Sequence, residues 1–189
     1  QHQGLESVEP VLGLVEIEYE VLKPVLDVNE AMAADAPVLH ENMFTQGLAE
    51  APTKASNIAA RQEFKMGDIE VGFSEADIIV ERDFYTPTVH QGYIEPHACT
   101  ASYDQDGQSM VWCSTQGHFD VRTSTAKLLN LNLNRLKVIA SEIGGGFGGK
   151  TTVYLEPVAL ILSRKSGRPV KMIMDRDDVF KASGPGSAT

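Results

Sequence analysis

The sequence is poor in the residues that would tie it to several large classes of protein. Only two of its 189 residues are cysteine, Cys99 and Cys113. They stand apart from each other in strand-like runs, so two buried thiols are expected rather than a disulfide. Two thiols cannot hold an iron–sulfur cluster unaided. Positive charge is in deficit: 16 Lys and Arg against 26 Asp and Glu give a formal net charge of −10. That balance argues against a nucleic-acid or anionic-membrane partner and for a soluble cytoplasmic protein. No long apolar run exists; the best, Val158 to Leu162, is far short of the roughly 20 residues of a membrane span. Gln1 opens a polar stretch, so no signal peptide is visible. The sequence has no internal repeat and no low-complexity tract. It starts without Met and closes on the tail Ser183 to Thr189, and it reads as a piece of a longer polypeptide. An apolar content of 42% is ordinary for a globular core.

What the sequence does have is glycine, concentrated in Gly144-Gly145-Gly146-Phe147-Gly148-Gly149-Lys150-Thr151. So many glycines cost much backbone entropy. They are worth it only where the chain must take φ > 0 or let something approach its main chain. The loop follows Leu136 to Ala140, an alternating strand, and precedes a helix-capable stretch, Leu155 to Lys165. A glycine loop between strand and helix gathers free N–H groups around one point, where an anionic ligand is the usual guest. As a bare pattern, Gly144, Gly149, Lys150 and Thr151 satisfy G-x-x-x-x-G-K-[ST], the phosphate loop of nucleotide hydrolases, with Asp175 as a possible metal-binding residue. Bulky Phe147 is awkward in such a loop.

Around this centre the chain reads as α+β. Val15 to Val21 alternates apolar and acidic residues, a half-buried strand ended by Lys23-Pro24. Asp27 can cap a helix over Val28 to Ala34. Glu41 to Lys65 has no period and reads as a linker or crossing segment. Asp68 to Ala76 suits a short amphipathic helix, and Ile78 to Tyr85 a strand stopped by Pro87. Cys99 to Tyr103 and Met110 to Ser114 form a hairpin about Asp104-Gln105-Asp106-Gly107. Val121, Thr125, Leu128 and Leu129 fall at helical spacing, placing a helix over His118 to Asn130. Pro157 belongs in the first turn of the next helix, Gly167 ends it, and Val170 to Met174 is a strand.

Several further segments, in order along the chain, point to one family. They are Gly67-Asp68 with Gly72-Phe73 and Ala76-Asp77, then His90-Gln91-Gly92-Tyr93-Ile94-Glu95-Pro96-His97. Ser114-Thr115-Gln116 follows, and after the glycine loop come Arg168-Pro169-Val170-Lys171 and Asp175-Arg176. With Gly-Gly-Gly-Phe-Gly-Gly-Lys, this series resembles the large, molybdopterin-binding subunit of the xanthine dehydrogenase/aldehyde oxidase family. The resemblance covers nearly the whole chain, less clearly Glu41 to Lys65. It implies residues 1–41 as the end of an α/β hammerhead-type domain, 42–66 as a linker, and 67–189 as the first half of the molybdopterin-binding domain. It implies a molybdopterin cofactor, possibly as the cytosine dinucleotide, with 2Fe-2S and FAD on partner subunits or domains of an enzyme that is a dimer as a full complex. The implied reaction is hydroxylation of an aldehyde or N-heteroaromatic carbon with water-derived oxygen. The general base Glu is expected outside this chain, and the chain alone is expected to be inactive.

Residue by residue, the resemblance assigns Gln116 to hydrogen-bond an oxygen ligand of molybdenum, an amide being a donor that does not titrate. Without it, Gln116 would read as a solvated or capping residue. Gly145, Gly146, Phe147 and Gly148 are assigned to the cofactor, with the Phe147 N–H facing the metal's oxygen ligand. The protein supplies no direct metal ligand. His90 and His97, seven apart, suit packed, hydrogen-bonded histidines better than a metal pair. Glu95 reads as structural, capping or pairing within the fold. Lys150 reads as a phosphate contact or a surface anchor, and His118, Arg122 and Lys127 as a solvated helix face. One departure stands out. Purine-hydroxylating members carry a Glu immediately after the glycine loop, where this chain has Thr151, a substrate-contact candidate. An Arg of those members has no match in Ala182-Ser183-Gly184-Pro185. Purine is therefore disfavoured as substrate.

Overall fold

The computed structural model describes residues 13–184 and 186. The first twelve residues of the expected hammerhead segment, Pro185 and the last three residues lie outside that range. The chain divides into two compact units at Ile79/Val80.

In the first unit, Asp27 caps α1 (Val28–Met32) by accepting from the Asn29 and Glu30 N–H groups. Asp68 caps α2 (Ile69–Glu75) in the same way through Val71 N–H. The segment between them is irregular but tied. The Asn57 side chain accepts from Leu39 N–H at 2.9 Å and donates to the carbonyls of Ala31 and Pro37 at 3.0 and 2.9 Å. Gln46 and Ala60 form an isolated bridge. The strand expected at Val15 to Val21 is not formed. Its alternation asks for a sheet, but a strand exists only by pairing, and among the described residues nothing pairs with it; Ile17, Tyr19 and Val21 are exposed. The apolar side chains of α2 are exposed too.

Among its described residues the second unit has a four-stranded sheet and three α-helices, two of which connect its strands. Its strands are β1 (Ala98–Ser102), β2 (Ser109–Cys113), β3 (Leu136–Ala140) and β4 (Val170–Ile173), in the order β3-β2-β1-β4. The β1–β2 hairpin forms where Asp104 makes the turn, its carboxylate accepting from Asp106 and Gly107 N–H. α3 (His118–Leu128) links β2 to parallel β3, and α4 (Glu156–Ser166) links β3 to β4 across the sheet. Pro157 lies in the first turn of α4, and Gly167 closes it at φ 64°. Cys99, Ala101, Val111, Leu136 and Val138 pack with Val121, Ala126, Ala159 and Leu160 into one core. Each fully buried Leu there contributes about 1.5–3 kcal/mol.

Three details correct the sequence reading. Cys99 and Cys113 are directly opposite each other across the hairpin rather than apart; both are buried and free. Burial, with the Glu156 carboxylate nearby, pushes both thiols up to about 12, so they stay protonated and unreactive. Leu128 points outward, and α3 buries Val121, Thr125 and Ala126 instead. Ile78 to Tyr85 forms no strand and is exposed, again for want of a partner among the described residues. An additional helix, α5 (Arg176–Ala182), follows β4. It starts with a reciprocal capping box between Asp175 and Asp178. Among the described residues no helix is long and apolar enough to cross a membrane.

Candidate active site

Strand direction gathers the motifs. β2, β3 and β4 run parallel and β1 antiparallel to them. The carboxyl ends of the three parallel strands and the start of β1 therefore share one end of the sheet, the end where open α/β sheets take ligands. Residues 90–97 enter β1 there. Residues 114–117 leave β2, the glycine loop leaves β3, and Met174 to Arg176 leave β4.

Gln116 sits at the β2–α3 junction, as expected, with its side chain turned to the loop. Its Oε1 accepts from Gly148 N–H at 3.0 Å and Lys150 N–H at 3.3 Å. Its own N–H donates to Lys150 O at 2.8 Å, and Thr115 Oγ1 donates to the same carbonyl. Fixing Oε1 fixes the amide: Nε2 is left as a donor with no partner among the described residues. Gly146 must be glycine for this contact, since a Cβ there would stand 2.4 Å from Gln116 Oε1. Phe147 takes a left-handed φ of 49° and is 73% exposed. A left-handed bulky residue is strained, and such strain concentrates at ligand sites. Among the described residues, no hydrogen bond uses the N–H of Gly145, Gly146 or Phe147.

Glu95 and Lys150 stand behind the loop. Glu95 Oε2 accepts from Gly144 N–H at 2.8 Å and from Lys150 Nζ at 2.7 Å. Burial alone would raise the Glu95 carboxyl, but the Lys150 ammonium and the Gly144 amide outweigh it and hold it below its ordinary value. Glu95 thus pairs within the fold, as expected. Lys150 is no surface anchor: its side chain is fully buried, with the ammonium 4.9 Å from the Tyr93 ring centroid.

This arrangement overturns the phosphate-loop reading. In a phosphate loop the lysine and successive amides face the nucleotide and the helix follows at once. Here the lysine is buried on a carboxylate. Gly144, Gly148, Gly149 and Lys150 N–H are spent on protein acceptors, and α4 begins only at Glu156. Thr151 is exposed, its hydroxyl donating to Gly148 O. Arg122 is no solvated side chain either; it donates to the carbonyls of Leu133 and Leu136.

Tyr93 had no role in the sequence reading, yet it is the buried hub of the site. Its hydroxyl lies 2.7 Å from His97 Nε2 and 3.1 Å from Ser183 Oγ, which also meets His90 Nε2. Arg176, from the start of α5, holds the carbonyls of Tyr93 and Ile94. Apart from the Tyr93–His97 contact, no sequence spacing reveals these bonds, because their partners lie more than 80 residues apart. Burial, with Lys150 nearby, lowers His97 to about 4. The neutral imidazole is therefore part of the fold. A folded-state value below the ordinary 6.5 means the unfolded chain binds the extra proton first. His97 thus contributes stability above pH 6.5 that is lost as pH falls toward 4, up to about 3 kcal/mol. Urea denaturation from pH 7.5 to 4.5 should show that loss, and His97→Gln should remove most of it. Equal slopes for both proteins would refute this role. The Glu95 contribution is lost in a lower window, below its ordinary 4.5.

The model of the molybdopterin cofactor-binding domain matches residues 27–189. The chain belongs to this family. It is 33% identical over 198 residues to the probable hypoxanthine oxidase XdhD of Escherichia coli (strain K12), covering 91% of this chain and 20% of the relative. It is 30% identical to the nicotinate dehydrogenase large molybdopterin subunit of Eubacterium barkeri, covering 93% of this chain and 38% of that one. Among solved structures, the reconstituted CO dehydrogenase from Oligotropha carboxidovorans has a TM-score of 0.72 at 32% identity, over 89% of this chain and 21% of that chain. The aldehyde oxidoreductase from Desulfovibrio gigas reaches 0.80 at 23% identity, a likeness of fold, over 95% of this chain and 19% of that chain. The chain thus spans about a fifth of the length of most of these proteins.

The residues present fit such a cofactor. The loop has four donors to offer, the Gln116 amide and three backbone N–H groups with no acceptor among the described residues. That set suits a ligand with anionic or acceptor atoms. Among the described residues no group of three His, Cys, Asp or Glu could hold a metal ion directly.

Proposed function

We propose that this chain supplies one wall of the cofactor site in the large subunit of a molybdenum hydroxylase. The observation that carries the reading is Gln116: two loop amides fix its Oε1, so its Nε2 stands as an outward donor beside the free amides of Gly145, Gly146 and Phe147. In this reading residues 1–41 close a hammerhead-type domain, 42–66 cross over, and 67–189 open the cofactor domain. The bound molybdopterin, possibly as its cytosine dinucleotide, supplies the redox chemistry that hydroxylates an aldehyde or N-heteroaromatic carbon. The chain's own residues orient the cofactor and present preorganised donors where charge develops. Gly148 and Lys150 keep the Gln116 amide from rotating, and Phe147 offers an apolar surface beside it. Electrons leave to iron–sulfur and FAD subunits or domains of a dimeric cytoplasmic enzyme. The relatives' names span hypoxanthine, nicotinate and carbon monoxide at 30–34% identity, so identity does not choose a substrate. Thr151, in the position after the loop, argues against purine.

The test is molybdenum content. The full-length subunit, purified from a host that makes the cofactor, should hold close to one molybdenum per chain by mass spectrometry. The 189-residue chain alone should hold none, because it forms one wall where pockets enclose about 70–90% of such a ligand. Neither should bind Mg-ATP by calorimetry. Folded full-length protein free of molybdenum, or micromolar ATP binding lost in Lys150→Ala, would overturn the proposal.

A further inference from the structure

The geometry points to Glu95 and Lys150 as a positioning pair that sets the shape of the glycine loop's ligand face; this rests on the cofactor reading above. One oxygen, Glu95 Oε2, holds the first N–H of the glycine run, at Gly144, and the ammonium of Lys150, which follows its last glycine. The two ends of the glycine run hang from a single atom. The Glu95 N–H also returns to Gly144 O at 3.3 Å. From the other side, Gln116 Oε1 holds the amides of Gly148 and Lys150, and Gly149 N–H closes onto Gly146 O at 2.7 Å. With Gly144 and Gly148 to Lys150 tied, the stretch Gly145 to Phe147 is what remains to meet a ligand. Those are the three residues whose amides have no acceptor among the described residues.

A fully buried lysine beside a ligand loop calls for a reason, since burying a charge is costly unless it is paired. It does not face the ligand side, for Phe147 is exposed while Lys150 is not. The ion pair therefore works through the loop backbone. Glu95 serves better than any neutral residue because one carboxylate oxygen can accept two donors and balance the ammonium at once.

The test uses the full-length subunit loaded with cofactor, in wild-type, Glu95→Ala, Glu95→Gln and Lys150→Met forms. Two readouts need no known substrate: the paramagnetic resonance lines of the dithionite-reduced molybdenum, and the rate of molybdenum loss on dialysis of folded protein. Glu95→Ala should alter the lines and speed the loss by about tenfold, the scale on which outer supports of metal sites act. Glu95→Gln, which keeps an oxygen but not the charge, should fall between. If the pair were only structural, Glu95→Ala would lower the melting temperature, but its loaded fraction would give wild-type lines and a wild-type loss rate. That result would overturn the inference. Should Glu95→Ala fail to fold, Lys150→Met decides: altered lines support the pairing role, unaltered lines refute it. A wild-type subunit without molybdenum would instead sink the cofactor reading itself.

Discussion

Glu95→Ala is expected to cost more stability than Lys150→Met, although the two side chains form one ion pair. The reason is their unequal burial. The Lys150 side chain is 0% exposed and the Glu95 side chain 34%. Removing Glu95 leaves an ammonium in the interior, beside the Tyr93 ring and with no anionic partner among the described residues. Losing one partner of a buried pair costs about 3–5 kcal/mol. Removing the ammonium leaves a carboxylate that water can reach and that keeps its Gly144 N–H. That loss should be about 1.5–3 kcal/mol, the range for one charged hydrogen bond. Met also keeps most of the lysine's apolar volume. In the double variant neither charge of the pair remains, so it should be more stable than Glu95→Ala alone. Urea and thermal melts of the cofactor-free subunit give the ranking. If Lys150→Met is the worse of the two, or the double variant the worst of all, the burial argument fails.

The second large effect is expected at Gln116, and two variants separate its two jobs. Gln116→Glu keeps an oxygen for the Gly148 and Lys150 amides but loses the outward N–H donor. Gln116→Ala loses both. If the donor meets the cofactor's acceptor atoms as charge shifts, Gln116→Glu should lower kcat of the full-length enzyme about a hundredfold. That lies at the lower end of the 2.7–4 kcal/mol assigned to one preorganised donor. The molybdenum content should stay near wild type. Gln116→Ala should lower kcat at least as far and also weaken the loop. A Gln116→Glu enzyme with full metal and unchanged kcat would leave Gln116 as an anchor of the loop and nothing more.

What could be read in the sequence was local. Asp104 to Gly107 announced the hairpin, Pro157 and Gly167 bounded a helix, and Leu136 to Ala140 led straight into the glycine loop. The capping box at Asp175 and Asp178 was equally local and was passed over. Failures came where a residue's fate is decided far along the chain. Val15 to Val21 and Ile78 to Tyr85 carry strand-like patterns, but pairing, not pattern, makes a strand. Lys150 looked like a rim residue because its carboxylate is 55 positions away. Tyr93 looked like one aromatic in a motif, and its serine partner is 90 positions away. Gln116 was placed at its junction from sequence, but which end of its amide faces the loop is visible only from the Gly148 and Lys150 N–H groups.

The gathering of four strand ends at one end of the sheet has a consequence for how the site is encoded. The bonds that join its segments close long stretches of chain: 32 residues from Gln116 to Gly148, 55 from Glu95 to Lys150, 83 from Tyr93 to Arg176. Closing such stretches costs entropy that grows only slowly with length, so distance along the chain is no bar. But no contiguous peptide contains the site. An excised glycine loop would carry the most recognisable letters of the sequence and none of the geometry. Only the finished sheet brings its four contributors within reach of one another.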